Sequence, residues 1–318
     1  MSDAAGIAED ALHRYDVGPD PRLEFVRHGE NTTFRVEGDR GSWALRVHRP
    51  GYRSAEAVRS ELAWMESLRA SGVRTPIAVR TLQGDVVAEI DTSAGQRLVS
   101  ALSWEPGEPL SDADDADAWR SLGALMGRVR EHGIAWERPE QFERWSWDAA
   151  GMLGPQPHWG DPALLPDWDA DALDLLAAVR ARVLERLAAF GDGPDRYGLV
   201  HADLAFHNVL IDDGEPVLID FDDAGWSWFM WELGVALAPF DGRPGFEERR
   251  DALVAGYRST CAVADEEIAE LATFVMARRL VTLGWVLTHA ETEHARAQRA
   301  WRIASFPEAA ERFLAATA

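Results

Sequence analysis

The sequence predicts an α+β chain in two lobes, a small β-rich N-terminal lobe over 1–104 and a larger helical lobe over 105–318. Three observations lead there. Short apolar or alternating runs bounded by Gly, Asp or Pro crowd 23–105, helical spacing dominates from 108 onward, and one β-like island, 198–223, interrupts the helices. In the first lobe the runs are LEFVRH, TTFRVEG, SWALRVH, IAVRTL, DVVAEI and RLVSALSW, each a strand candidate. A single helix is expected among them over 54–70, where Ala57, Leu62, Met65 and Leu68 fall near helical spacing. Ser54 is its N-cap and Ser71-Gly72 its stop. The turn Glu105-Pro106-Gly107 closes the lobe. Helix-like patterning follows over 119–132, 171–190, 246–257, 266–291 and 307–316. Between the first two of these lies a Trp- and Pro-rich connector, 145–168, too apolar for a disordered linker, which reads as a packed, irregular cover.

Composition narrows the function classes. The 318 residues are 47% hydrophobic, as in an ordinary soluble globular protein. The opening MSDAAGIAEDALHRYD has no basic stretch followed by an apolar run, so secretion is not expected and the cytoplasm is the expected compartment. The apolar segment 271–290 is broken by Arg278 and Arg279, which favours a buried helix over a membrane span. One cysteine, Cys261, allows neither an internal disulfide nor a Cys-based zinc site. The net charge is −22, and all 32 basic residues are arginine. Residues 1–104 hold 15 acids against 13 arginines, so nearly all the excess falls on the second lobe. Dense positive charge for a nucleic-acid backbone is absent, whereas a cationic small molecule or basic partner would be drawn to the acidic half.

The island carries the chemistry. In GLVHADLAFHNVLIDDGEPVLIDFDDAG the runs Val209-Leu210-Ile211 and Val217-Leu218-Ile219 flank Asp212-Asp213-Gly214, a hairpin signal. His201, Asp203, Asn208 and Asp220 bracket its open ends. Moving a phosphoryl group from ATP needs oxygen ligands for Mg2+, a base near the acceptor hydroxyl and cationic support for the phosphates. On this reading Asp203 accepts or orients the hydroxyl proton, Asn208 and Asp220 hold Mg2+, and His201 braces the loop.

HADLAFHN followed by IDFDD resembles the catalytic and metal-binding loops of the aminoglycoside phosphotransferase and choline kinase-like family, relatives of protein kinases. The likeness covers almost the whole chain. FDDAGWSWFMWELGVAL, ENTTFRV and ARRLVTLGW are similar to the branch of homoserine-kinase-like and stress-response-kinase-like proteins. The resemblance implies a bilobal protein-kinase-like fold with ATP between the lobes. It implies that Arg46 contacts the α- and β-phosphates with Glu61 as its helix partner, and that Ser103, Trp104 and Glu105 form a hinge receiving adenine through backbone groups. The implied activity is an ATP-dependent kinase, a phosphotransferase acting on a hydroxyl of a small, amine-bearing molecule: an aminoglycoside-like antibiotic, an amino alcohol or homoserine. A Ser/Thr protein kinase of the stress-response type and a nucleotide-binding pseudokinase are the alternatives within the fold.

Four positions depart from that pattern. Arg46 stands where lysine is usual, in a chain without lysine, and arginine can still pair with phosphate and Glu61. The glycine-rich loop is reduced to Gly29, so Asn31, Thr32 and Thr33 are expected to supply amides and hydroxyls to the nucleotide. LAFHN replaces LHPGN, which places Phe206 and His207 beside the acceptor. Glu232 replaces a common aspartate. Asp223, Trp226, Trp228 and Trp231 are expected to line the acceptor site through charge pairing and cation–π contact, with Trp147 and Trp159 as its roof; packing is the rival role for these tryptophans. Arg278 and Arg279 could reach an anionic substrate group, or one could pair with core carboxylates while the other faces solvent. His201, Asp203 and His207 would also suit the metal of a hydrolase, a reading that leaves Asn208, Asp220 and the β-rich lobe unexplained.

Overall fold

Strand β1 (Arg22–His28) turns into β2 (Thr32–Gly38), which turns into β3 (Gly41–Val47), an antiparallel meander that alternates apolar and polar residues. The computed structural model describes residues 2–29, 31–110 and 115–318; Glu30 of the ENTTFRV stretch lies outside the described residues. Further along are helix α2 (Ala55–Ala70), β4 (Ala78–Val79), β5 (Val87–Thr92) and β6 (Gly95–Ser103). β6 pairs with β3 on one side and with β5 and β4 on the other, giving an antiparallel sheet ordered β1-β2-β3-β6-β4 with β5 also on β6. Leu45 and Val47 point to one face, where they pack with Phe34, Val36, Val99 and Ala101 against Ile7, Ala8 and Ala11 of helix α1 (Ser2–Leu12). Period-2 alternation sends Arg46 to the opposite face. Ser54 caps α2 as expected, accepting from the amide of Ala57 at 2.9 Å.

The described residues form two compact units, and the division is not a single cut near 104. The first unit runs to Pro109 and adds Trp136–Arg144 and Val209–Asp222. The physical reason is pairing: strand β7 (Glu108–Pro109) bonds to β9 (Val209–Asp212), which forms the expected hairpin with β10 (Glu215–Leu218) across Asp213-Gly214. Arg74 ties the hairpin down further, its guanidinium on Asp212 at 2.6 Å and its carbonyl accepting from Leu218 at 2.9 Å.

The second unit holds helices α3 (Ala116–Ala135), α4 (Ala149–Leu153), α5 (Ala170–Phe190), α6 (Met230–Leu237), α7 (Phe246–Arg258), α8 (Asp265–Ala269), α9 (Leu271–Thr288) and α10 (Glu293–Ala316). The helix expected over 266–291 breaks at Glu270, whose carboxylate is held by Arg186 and by Thr273, so α9 starts afresh there. α10 begins fourteen residues before Pro307 and passes through it, against the expectation that proline opens the helix. α6 escaped the sequence reading because it is buried on every side and shows no polar face. α3 and α7 cross at glycines: a Cβ on Gly256 would stand 1.9 Å from the Arg120 carbonyl, and one on Gly123 2.0 Å from that of Leu253. α9 is long and apolar enough to cross a membrane by composition, yet 72% of it is buried inside the unit. A short pair, β8 (Tyr197–Val200) with β11 (Gly225–Trp228), was also unforeseen and supplies the platform for the loop after Val200.

Candidate active site

In the first unit the buried face of the sheet meets α2 through charge. Arg46 is 6% exposed and Glu61 fully buried, and the two pair at 2.5 Å. Arg46 also reaches Asp222 at 3.1 Å, and Arg144, equally buried, bonds Glu61 at 3.4 Å together with the carbonyls of Ala57, Phe221 and Asp222. Arg53 donates to the Asp222 carbonyl at 2.9 Å. Burial alone would strip the Arg46 charge, but the carboxylates of Glu61 and Asp222 raise its pKa above the ordinary value. Burial likewise pushes Asp222 upward, and Arg46 and Arg53 reverse that, so its carboxyl sits below the usual range. These links hold the 219–222 turn, where Asp220 has φ +63°, a left-handed conformation uncommon for a residue with a Cβ. The Asp220 carboxylate is met by the Arg27 guanidinium from β1.

The other expected nucleotide residues are engaged within this unit. Asn31 donates to Asp222 at 3.0 Å, and the Thr32 hydroxyl bonds His28 at 2.8 Å. Both are buried, whereas Thr33 is half-buried. The amides of Ser103 and Trp104 donate to Ile77 and Ser42, and the Ser103 hydroxyl bonds Glu105. Two of the backbone donors expected to meet adenine are thus already bonded within the unit.

In the second unit β8 hands the chain to His201, which is completely buried. The next residue, Ala202, has φ +66°, so the loop reverses sharply. Glu232 of α6 secures that reversal by accepting from the amides of His201 at 2.5 Å and Ala202 at 3.3 Å, while Trp231 donates to the Ala202 carbonyl at 3.1 Å. The longer glutamate does the bracing expected of a shorter aspartate. His201 takes the Asp203 amide on Nδ1 at 3.3 Å. A single 3-10 turn over Phe206–Asn208 then brings the Asn208 amide back to Asp203: Nδ2 lies 2.8 Å from its carbonyl and 2.9 Å from Oδ2. That bond aims the Asn208 oxygen away from Asp203, the orientation a hard cation requires.

Arg278 of α9 holds the other oxygen of Asp203 at 2.5 Å, and His207 stands 3.6 Å away. Burial would raise the Asp203 carboxyl, but Arg278 and His207 outweigh it and hold it well below the usual carboxylate range. The Arg278 guanidinium lies over Trp159 (5.2 Å) and Trp231 (5.8 Å). Trp159 comes that close because α9 has Gly284 opposite it; a Cβ there would be 2.2 Å from the Gly160 carbonyl. Arg279 points elsewhere, toward Asp241 at 3.4 Å and Ser305 at 2.9 Å, so both arginines have partners.

Several expected acceptor contacts are structural instead. The Phe206 ring is buried against Trp119 at 4.5 Å, and Trp228 is buried between Tyr197 and Phe274 with its indole N–H on Gly191. Trp147 is buried too, donating to the Asp223 carbonyl at 2.7 Å. The backbone of Trp226 bonds Trp145 and Trp147, and its ring and Asp223 are half-buried; His207 is exposed. Sequence reasoning missed Arg144, Arg53 and Arg27, for which an arginine-only chain offers no contrast, and left Arg278 undecided. Among the described residues no group of three or more His, Cys, Asp or Glu could hold a metal, which removes the support for a His201–Asp203–His207 hydrolase site.

Comparison with known proteins agrees with this geometry. Residues 22–272 match the phosphotransferase enzyme family. A solved microcompartment-associated aminopropanol kinase is 32% identical, with 98% of each chain covered and a TM-score of 0.90. The amicoumacin kinase of Bacillus subtilis (strain 168) is 24% identical over 76% of this chain and 72% of the relative. A second amicoumacin kinase, solved with AMP-PNP, Ca2+ and Ami, is 22% identical with a TM-score of 0.79 over 98% of this chain and 94% of its own. The helical unit, the antiparallel sheet and the loop from His201 to Asn208 thus sit in a protein-kinase-like fold, and the chain belongs to the phosphotransferase enzyme family.

Proposed function

We propose that this enzyme moves the γ-phosphoryl group of Mg·ATP to the hydroxyl of a small amine-bearing molecule, with an amino alcohol as the favoured acceptor class. The observation that carries it is Asp203: a carboxylate with one oxygen on Arg278 and the other on Asn208, at the mouth of a strained, fully braced loop. The acceptor oxygen bonds to the γ-phosphorus as the bond from phosphorus to the β-bridging oxygen breaks, ADP leaves, and the hydroxyl proton passes to Asp203 and then to solvent. A carboxylate kept so firmly ionised is a weak base, so Asp203 chiefly orients the hydroxyl and takes the proton late. Arg46, held by Glu61, would support the phosphates. Asn208 and Asp220 would supply the oxygen ligands for a divalent cation, and Mg2+ held there would offset charge on the β- and γ-phosphates. Thr33, Trp104 and Glu105 remain candidates for nucleotide contact, and His207, Asp223 and Trp226 for acceptor contact.

The 32% identical aminopropanol kinase supports an amino alcohol, and the acidic second half suits a cation. The cytoplasm is the compartment this reading implies. ATP consumption measured over amino alcohols, homoserine, aminoglycosides and basic proteins tests it. An amino alcohol is expected to be turned over, and Asp203→Ala to lower that turnover by about 100- to 10,000-fold with the KM for ATP preserved. Consumption with basic proteins alone would favour the Ser/Thr kinase instead, and nucleotide binding without consumption a pseudokinase.

A further inference from the structure

We propose that Arg278 is a positioning residue for the transfer, fixing the Asp203 carboxylate in the orientation that receives the acceptor hydroxyl and balancing its charge. The inference rests on the reading of Asp203 as the acceptor-side group. Asp203 belongs to a loop, and a loop carboxylate left alone would sample several rotamers. Here its Oδ1 is held by Arg278 and its Oδ2 by Asn208, which leaves the remaining lone-pair directions fixed in space for a hydroxyl.

Arg278 is itself immobilised. Its side chain is 12% exposed, and Asp203 is its one ion-pair partner among the described residues. The guanidinium rests on the faces of Trp159 and Trp231, and Trp231 also holds the Ala202 carbonyl. One indole therefore fixes both the loop that bears the carboxylate and the cation that aims it. The rigid helix α9 sets the position of the cation, the 159–160 segment covers it, and α6 supports it from the other side. The pair engages the carboxylate proposed to meet the acceptor.

There is a consequence for recognition. Trp159 and Trp231, two of the tryptophans expected at the acceptor site, already hold a cation of this chain on their faces, and the Asp203 charge is already balanced. The acceptor ammonium is therefore bound away from Asp203, and Arg278 separates the group that aligns the hydroxyl from the groups that bind the amine.

Steady-state kinetics of the full chain with ATP and aminopropanol, alongside a crystal structure of Arg278→Gln, test the proposal. Arg278→Gln is expected to lower kcat by about 100-fold, the scale of a misplacement near 1 Å, with the KM for ATP within about twofold of wild type. Guanidinium added to Arg278→Ala should restore part of the turnover, and methylammonium less, because the planar fork does the aligning. In the crystal the Asp203 carboxylate should leave its present rotamer. A kcat for Arg278→Gln within about twofold of wild type, or an unmoved Asp203, overturns the proposal. If Arg278→Gln does not fold, Arg278→Lys keeps the charge without the fork and carries the same kinetic and crystallographic readouts. Absence of turnover by the wild type with every acceptor would refute the proposed function instead, and the Asp203 rotamer would still decide the role of Arg278.

Discussion

Glu232 is a buried carboxyl that holds backbone amides, and that gives it a measurable signature. Burial pushes its pKa up from 4.5 to about 7, with the His201 and Ala202 amides opposing. The folded chain therefore binds a proton between those values that the unfolded chain has already released. Stability drawn from this group is present at low pH, declines as pH rises from 4.5 to about 7, and is then constant. Glu232→Gln keeps an oxygen for the amides and does not titrate. Its melting temperature relative to wild type is expected to improve by a few degrees between about pH 5 and about pH 8. A difference that stays flat over that span would mean that Glu232 is ionised throughout. At this scale the sequence was informative where a residue belongs to a spaced motif. His201, Asp203, Asn208 and Asp220 stood out because four polar groups bracketed one hairpin. Arg144 and Arg53 did not, since the groups they bond, the Asp222 carbonyl for both and Glu61 as well for Arg144, lie far along the chain and nothing in local spacing reports such a bond.

Among elements, those with a polar face or a turn signal were legible. The strands of the meander, α2 with its Ser54 cap and the β9–β10 hairpin were all foreseen within a few residues. The elements that lacked such contrast were missed: α6 is buried all round, and β8 and β11 pair across twenty-four intervening residues. Trp228 and Phe206 were misread for a related reason. An aromatic side chain near a site in sequence is placed inside or outside the core by tertiary packing, which adjacency does not reveal. Gly284 shows how an element tunes the site. A methyl group there would collide with the Gly160 carbonyl at 2.2 Å, backbone against helix, so the 159–160 segment must retreat. Gly284→Ala is expected to cost about 1–3 kcal/mol of stability and to lower kcat by loosening Trp159 over Arg278. Unchanged melting and unchanged kcat in that variant would show that the Trp159 contact has no influence on Asp203.

For the molecule as a whole, charge distribution is the property that no single residue carries. Nearly all of the −22 falls on 105–318, the stretch that contributes Asp203 and its neighbours, and it was readable from composition alone. Such a field concentrates cations near the surface and speeds their encounter, an effect that salt screens over a Debye length of about 10 Å at 0.1 M. It acts on a cationic acceptor before any contact forms, so it belongs to kcat/KM and not to kcat. For aminopropanol at saturating Mg·ATP, kcat/KM is expected to fall by a few-fold as sodium chloride rises from about 0.02 M to about 0.3 M, with kcat nearly constant. An uncharged diol of the same size supplies the control, because its kcat/KM should not respond to the same change in salt. Parallel declines for both compounds would point to salt acting on the fold or on nucleotide binding. Invariance for both would reduce the acidic surface to a device for solubility and remove charge as a reason to favour an amine-bearing acceptor.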